Sequence, residues 1–99
     1  MVKGQHKSPS DNLYQAVLTL KDMDECRRFF QDLCTVSELR AMEQRMDVAL
    51  LLEEGMIYND ILEQTGASSA TISRVNRALN YGADGYQAVI PRIRAQQKK

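Results

Sequence analysis

One glycine constrains this chain more than any other residue. Gly66 separates two short amphipathic segments in the stretch Tyr58 to Leu79, YNDILEQTGASSATISRVNRAL, where a tight turn needs a residue free to take positive φ. The segment before it carries Ile61 and Leu62. In the segment after it, Ser68 is placed as an N-cap whose hydroxyl accepts from an otherwise unpaired amide of the next turn. Ile72, Val75 and Leu79 then recur at i, i+3 and i+7, the inward stripe of an α-helix. At about 100° per residue the opposite face holds Ala70, Ser73, Arg74 and Arg77, with Thr71 on its flank. Such a small, polar, basic face suits a DNA major groove. The pattern predicts a helix-turn-helix over about 58–79, its second helix being the reading element. A structural helical hairpin with a solvated basic face gives the same local signals and stays open as an alternative.

The 99 residues fit one domain of modest core, 43% hydrophobic with six aromatic residues and no Trp. Helices that cannot cover one another in so short a chain often complete their burial in a dimer. The net charge of zero argues against duplex binding if taken as a sum, because affinity leans on phosphate neutralisation. Its distribution argues the other way. Residues 21–65 hold five basic and eleven acidic side chains, whereas residues 66–99 hold six basic ones (Arg74, Arg77, Arg92, Arg94, Lys98, Lys99) against Asp84 alone. Lys3, Lys7 and Asp11 leave the first twenty residues slightly positive. Positive charge is thus gathered on the reading segment and the chain ends.

Other classes find little support. No stretch approaches a transmembrane helix, and MVKGQHKSPSDN lacks the apolar core of a signal peptide, so the expected location is the cytoplasm. Cys26 and Cys34 would lie about 12 Å apart on one straight helix, beyond disulfide reach, and one His leaves a Cys/His zinc site short of ligands. Buried or half-buried thiols are the better reading. No Ser/His/Asp or Cys/His constellation and no Gly-rich phosphate loop is present, and Glu53 and Glu54 would point about 100° apart on a helix. An enzyme is not expected.

In chain order, residues 1–10 are polar with Gly, Pro and Ser and predict a flexible arm, ahead of a single helical domain over 11–99. Asp11 to Leu20 is helix-like, with Leu13, Ala16, Val17 and Leu20 inward. Asp22 to Glu25 forms a capping-box pattern opening a helix to about Leu33, with Met23, Cys26, Phe30 and Leu33 on one side and Phe29 beside them. Thr35 to Glu38 is a better capping box for the longest helix, about Val36 to Glu54, with Leu39, Met42, Met46, Ala49 and Leu50 inward and Gly55 as its stop. After Asn80-Tyr-Gly82, residues Tyr86, Val89, Ile90 and Ile93 form a last amphipathic stretch. Pro91 should kink or end it, leaving Arg92, Arg94, Lys98 and Lys99 as a basic tail. No strand-like alternation is visible, and the expected fold is all-α.

Three motifs carry a wider likeness: Leu33-Cys-Thr-Val-Ser-Glu38, Ala41-Met-Glu-Gln-Arg45 and, above all, Gly66-Ala-Ser-Ser-Ala-Thr-Ile-Ser-Arg74. Through them the chain resembles, from Leu33 to about Ile90, the Trp repressor family, and within it the TrpR-related YerC/YecD branch of bacterial proteins. The resemblance implies a six-helix plan, an intertwined homodimer, and two reading heads set in successive major grooves of a pseudo-palindromic operator. In the family's namesake, tryptophan is the corepressor. The positions that would hold it correspond to Thr35, Arg45 and Arg74. The family's pattern breaks at Val75, where it has glycine, and at Ala78, where it has a ligand-contacting serine. Each change would cost the ligand on the order of 1–3 kcal/mol, which weighs against tryptophan and leaves another small effector, or none, as the expectation. The plainer roles stand beside these: Thr35 as a helix cap, Arg45 pairing with Glu43 or Asp47, Arg74 on a phosphate.

The favoured reading is a homodimeric transcriptional regulator, most simply a repressor, binding double-stranded DNA. Ser69, Ala70, Thr71 and Ser73 would meet base edges, while Ser68, Arg74 and Arg77 would set the helix on phosphates. A protein-interaction module of the same shape without strong DNA affinity is the alternative, motivated by the acidic first two-thirds.

Overall fold

Local chemistry starts the helices where the sequence places them. The computed structural model describes residues 10–97, which form α1 (Asp11–Leu18), α2 (Met23–Leu33), α3 (Val36–Glu53), α4 (Tyr58–Thr65), α5 (Ser69–Tyr81) and α6 (Gly85–Gln97), with no strand among them. Most of the expected arm at 1–10 lies outside the described residues, as do Lys98 and Lys99. At the start of α3 the capping box is reciprocal: the Glu38 amide donates to Thr35 Oγ1 at 3.1 Å, and the Thr35 amide donates to Glu38 Oε1 at 2.8 Å. At α2 the Glu25 amide donates to Asp22 Oδ1 at 2.8 Å. The return bond there comes to Glu25 from the Lys21 amide, one residue before the cap.

The chain packs as two units that divide between Leu39 and Arg40. Within the first, through Leu39, no described residue is buried. Ala16, Val17, Leu20, Cys26, Phe29, Phe30 and Leu39 are half-buried, and the Phe29 and Phe30 rings meet edge to face at 5.5 Å. Leu13, Met23 and Leu33, expected inward, are exposed. Two short helices have too little apolar surface to enclose one another. Helix α1 also stops at Leu18 rather than Leu20, its end tightened by i−3 bonds from the Thr19 and Leu20 amides.

The second unit, from Arg40, has a core of Val48, Ala49, Ile61, Ala67, Ile72, Val75 and Ile90, against which Met46, Leu50, Leu51, Leu52, Met56, Leu79 and Tyr86 pack. Ala49 and Leu50 were expected inward on α3, but Val48 is as deeply buried as Ala49. Neighbouring helix positions point about 100° apart, so this end of α3 is covered on more than one side. Of the α4 pair, Ile61 is buried and Leu62 is exposed. The turn into α5 is held by more than its glycine: Thr65 Oγ1 donates to Ile61 O at 2.7 Å and accepts from the Ala67 amide, while Gln44 Nε2 donates to Thr65 O.

Helix α6 does not end at Pro91; it continues to Gln97. An interior proline denies its i−4 carbonyl a donor and costs about 3 kcal/mol, so contacts outside the helix must offset it. Ile90 is buried in the core. Arg94, expected in a basic tail, instead reaches back to α3, with Nη2 donating to Leu50 O at 2.8 Å and to Glu53 Oε1 at 3.0 Å.

Gly66 closes α4 at φ 73°, with nothing within 4 Å of a Cβ built there, whereas a Cβ on Gly82 would overlap the Ala78 carbonyl. Gly66→Ala therefore carries only the left-handed penalty, about 1–2 kcal/mol, and Gly82→Ala should lose more. Urea denaturation at unchanged m-value measures both; a neutral Gly82→Ala would contradict this geometry.

Candidate nucleic-acid interface

Helix α5 is capped by Ser68, whose backbone is extended (φ −71°, ψ 160°) and whose Oγ accepts from the Thr71 amide at 3.1 Å. The same hydroxyl donates to Thr71 Oγ1. Two faces of α5 then separate cleanly. Ile72 and Val75 are fully inside and Leu79 is half-buried. Ser69, Ala70, Ser73, Arg74 and Arg77 are exposed, and Thr71 on the flank is half-buried. The candidate residues Ser68, Ser69, Ala70, Thr71, Ser73, Arg74 and Arg77 thus share one helix, and the rotation that puts Ile72 and Val75 in the core turns Ser73, Arg74 and Arg77 outward.

Electrostatics favour the same face. Helix α5 contains no carboxylate, and among the described residues neither Arg74 nor Arg77 forms an ion pair. Their charge is uncommitted. The row Arg74, Arg77, Tyr81 runs at i, i+3 and i+7, and Tyr81 is 87% exposed. The sequence signal for Tyr81 is its i+4 spacing from Arg77, which a search for basic and hydroxyl-bearing small residues passes over. Asn80, exposed at i+7 from Ser73, donates through Nδ2 to both O and Oδ1 of Asn76, and Gln87 Nε2 of α6 donates to Leu79 O at 2.8 Å.

Comparison with known proteins agrees with this architecture. The Trp repressor protein family model matches residues 9–94. YerC of Bacillus subtilis (strain 168) is 51% identical over 84 residues, covering 85% of this chain and 81% of YerC. The chain belongs to the Trp repressor family. Its folded relatives include a TrpR-like protein from Eubacterium eligens, 53% identical with a TM-score of 0.83 over 88% of this chain and 91% of that one. A candidate Trp repressor from Staphylococcus aureus is 43% identical with a TM-score of 0.85 over 90% and 89%. This is a family of DNA-binding regulators, not of enzymes.

Thr35, Arg45 and Arg74 are the positions that correspond to the effector site of the family's namesake. Thr35 is exposed and occupied as the α3 cap, in the first unit. Arg45 on α3 is half-buried and, among the described residues, pairs with neither Glu43 nor Asp47. Arg74 is exposed on α5. Val75 is enclosed in the core rather than standing free beside Arg74, and Ala78 is exposed. An apolar cleft of about 380 Å³ opens next to Ala78, lined by Met46, Ala83, Gly85, Tyr86 and Val89. No group of three metal-ligating side chains occurs among the described residues. Cys26 and Cys34 are free and half-buried, as read from the sequence, and no described helix is long and apolar enough to cross a membrane.

Ser68→Ala removes the bond that caps α5 and should lower stability by about 1 kcal/mol. Ser73→Ala, on the open face, should stay within about 0.5 kcal/mol of the parent. Thermal unfolding by circular dichroism checks both, and equal losses would mean that Ser73 is structural.

Proposed function

We propose that this protein is a sequence-specific, homodimeric regulator of transcription that acts in the cytoplasm by placing α5 in the major groove of a pseudo-palindromic operator. The observation that carries this is the outward face of α5, where two arginines without an ion pair among the described residues stand beside small side chains able to approach base edges. Ser69, Ala70 and Ser73 would read bases, with Thr71 contributing the hydroxyl proton that its bond from Ser68 leaves free. Arg74, Arg77 and the backbone amide of Ser68 would position the helix on phosphates. Repression would follow from occupying the operator.

Dimerisation is supported by the first unit, where Tyr14, Leu18, Met23 and Val36 are each more than 60% exposed. A surface that apolar asks for a partner, and a second copy supplies the two-fold symmetry a palindrome requires. As to effector, Ala78 lacks the hydroxyl of the family's serine, and the valine at 75 replaces its glycine. Tryptophan is therefore not the ligand in this reading. A small apolar effector in the cleft beside Ala78 is compatible with it.

Selection of bound duplexes from a random pool should return a palindrome; failure to enrich any duplex, with no retention on heparin at low salt, would favour a protein-interaction module instead. On the recovered site, Arg77→Ala should weaken binding across sequences and lower the slope of log affinity against log salt by about one. Ser73→Ala should relax preference at one base step. Sedimentation should give twice the 11.3 kDa chain mass, and Leu18→Glu should yield a folded monomer. Tryptophan should neither bind by calorimetry nor tighten the shift; saturable tightening would overturn the effector reading.

A further inference from the structure

Arg94 is on α6, not on the reading helix, yet its side chain bonds to residues 41 and 44 positions away, which Arg74 and Arg77 do not do among the described residues. Its Nη2 donates to the Leu50 carbonyl at 2.8 Å and to Glu53 Oε1 at 3.0 Å, Nε donates to the same oxygen at 3.3 Å, and Nη1 meets Glu54 Oε2 at 2.9 Å. Leu50 is in the last turn of α3, so the guanidinium both binds a terminal carbonyl and places positive charge where the helix dipole favours it. The bond to Glu53 raises the Arg94 pKa, partial desolvation opposes this, and the charges of Glu54 and Glu53 add to the rise. The group stays cationic at any pH at which the fold persists.

What this clasp holds is the backing of the reading helix. Gln87, Ile90 and Arg94 fall at i, i+3 and i+7, on one face of α6. Gln87 ties that face to the end of α5, Ile90 joins Ile72 and Val75 in the core, and Arg94 ties it to α3. Between the outer anchors stands Pro91, which removes the intrahelical bond to the Gln87 carbonyl and so weakens the helix's own hold on its last turns. The far end of α6 is kept in place by Arg94 and half-buried Ile93. Helix α3 ends at Glu53, in the turn that begins at Leu50, and the helix-turn-helix begins at Tyr58. Both the start of that motif and the support behind α5 are thereby fixed to the same guanidinium.

We infer that Arg94 is a positioning residue for DNA recognition: by clasping Leu50, Glu53 and Glu54 it sets the angle at which α5 is presented, without itself touching the duplex. This rests on the DNA-binding reading of α5. A bidentate, planar guanidinium bonded to three partners cannot be replaced by an ammonium, so Arg94→Lys should fall between the parent and Arg94→Ala. Glu53→Gln with Glu54→Gln disturbs the same clasp from the other side and leaves Arg94 in place.

The test uses the full chain, the selected palindrome and a scrambled duplex of equal length, well below each variant's unfolding temperature. Arg94→Ala should lose about tenfold in affinity for the palindrome while its affinity for the scrambled duplex and its salt slope stay close to the parent's. The double glutamine variant should reproduce the loss. Hydrogen exchange without DNA should quicken at residues 92–97 and at α5 amides from Ile72 to Leu79. Equal losses on both duplexes would make Arg94 merely structural, a slope lower by about one would make it a phosphate contact, and unchanged α5 exchange would overturn the inference whether or not DNA binds. If the parent itself ignores both duplexes, the DNA-binding reading fails, and the exchange result still decides whether Arg94 steadies α5.

Discussion

The burial of Ile72 and Val75 together with Ile61 orients everything that follows in this chain. Fully burying an aliphatic side chain of this size is worth about 1.5–3 kcal/mol, whereas an exposed ion pair contributes about 0–1 kcal/mol. Packing, not charge, therefore decides which way α5 faces. Once its apolar stripe is inside, helical geometry leaves Ser73, Arg74 and Arg77 outside, and Gly66 lets the chain double back tightly enough for α4 and α5 to share that core. Val48 and Ala49 of α3 and Ile90 of α6 complete the enclosure, so the presented face depends on elements that never approach it.

Arg77 and Arg94 show how one residue type takes opposite roles. Arg77 projects from a helix without carboxylates and, among the described residues, forms no ion pair. Arg94 is four residues beyond a buried isoleucine, opposite the acidic end of α3, and spends its charge internally. The same contrast separates the two units. From Arg40 onward apolar residues form a buried core, while no described residue of α1, α2 or the first turn of α3 is buried. The relatives share the Trp repressor fold of this chain.

Short-range interactions were legible from the sequence alone. The Thr35 and Ser68 caps, the left-handed Gly66, the helical content and the two faces of α5 all depend on atoms within about four residues of each other along the chain. So did the family resemblance, because its motifs are contiguous. The tertiary structure decided what contiguity cannot: that Val48 is enclosed, that Leu62, Met23 and Leu33 are not, that Thr71 turns partly inward, and that α6 survives Pro91. Arg94 is the sharpest instance, since its partners Glu53 and Leu50 lie 41 and 44 positions away. Whether a proline ends a helix or an arginine stays free depends on which distant groups the fold brings within hydrogen-bonding distance, and periodicity carries no record of that.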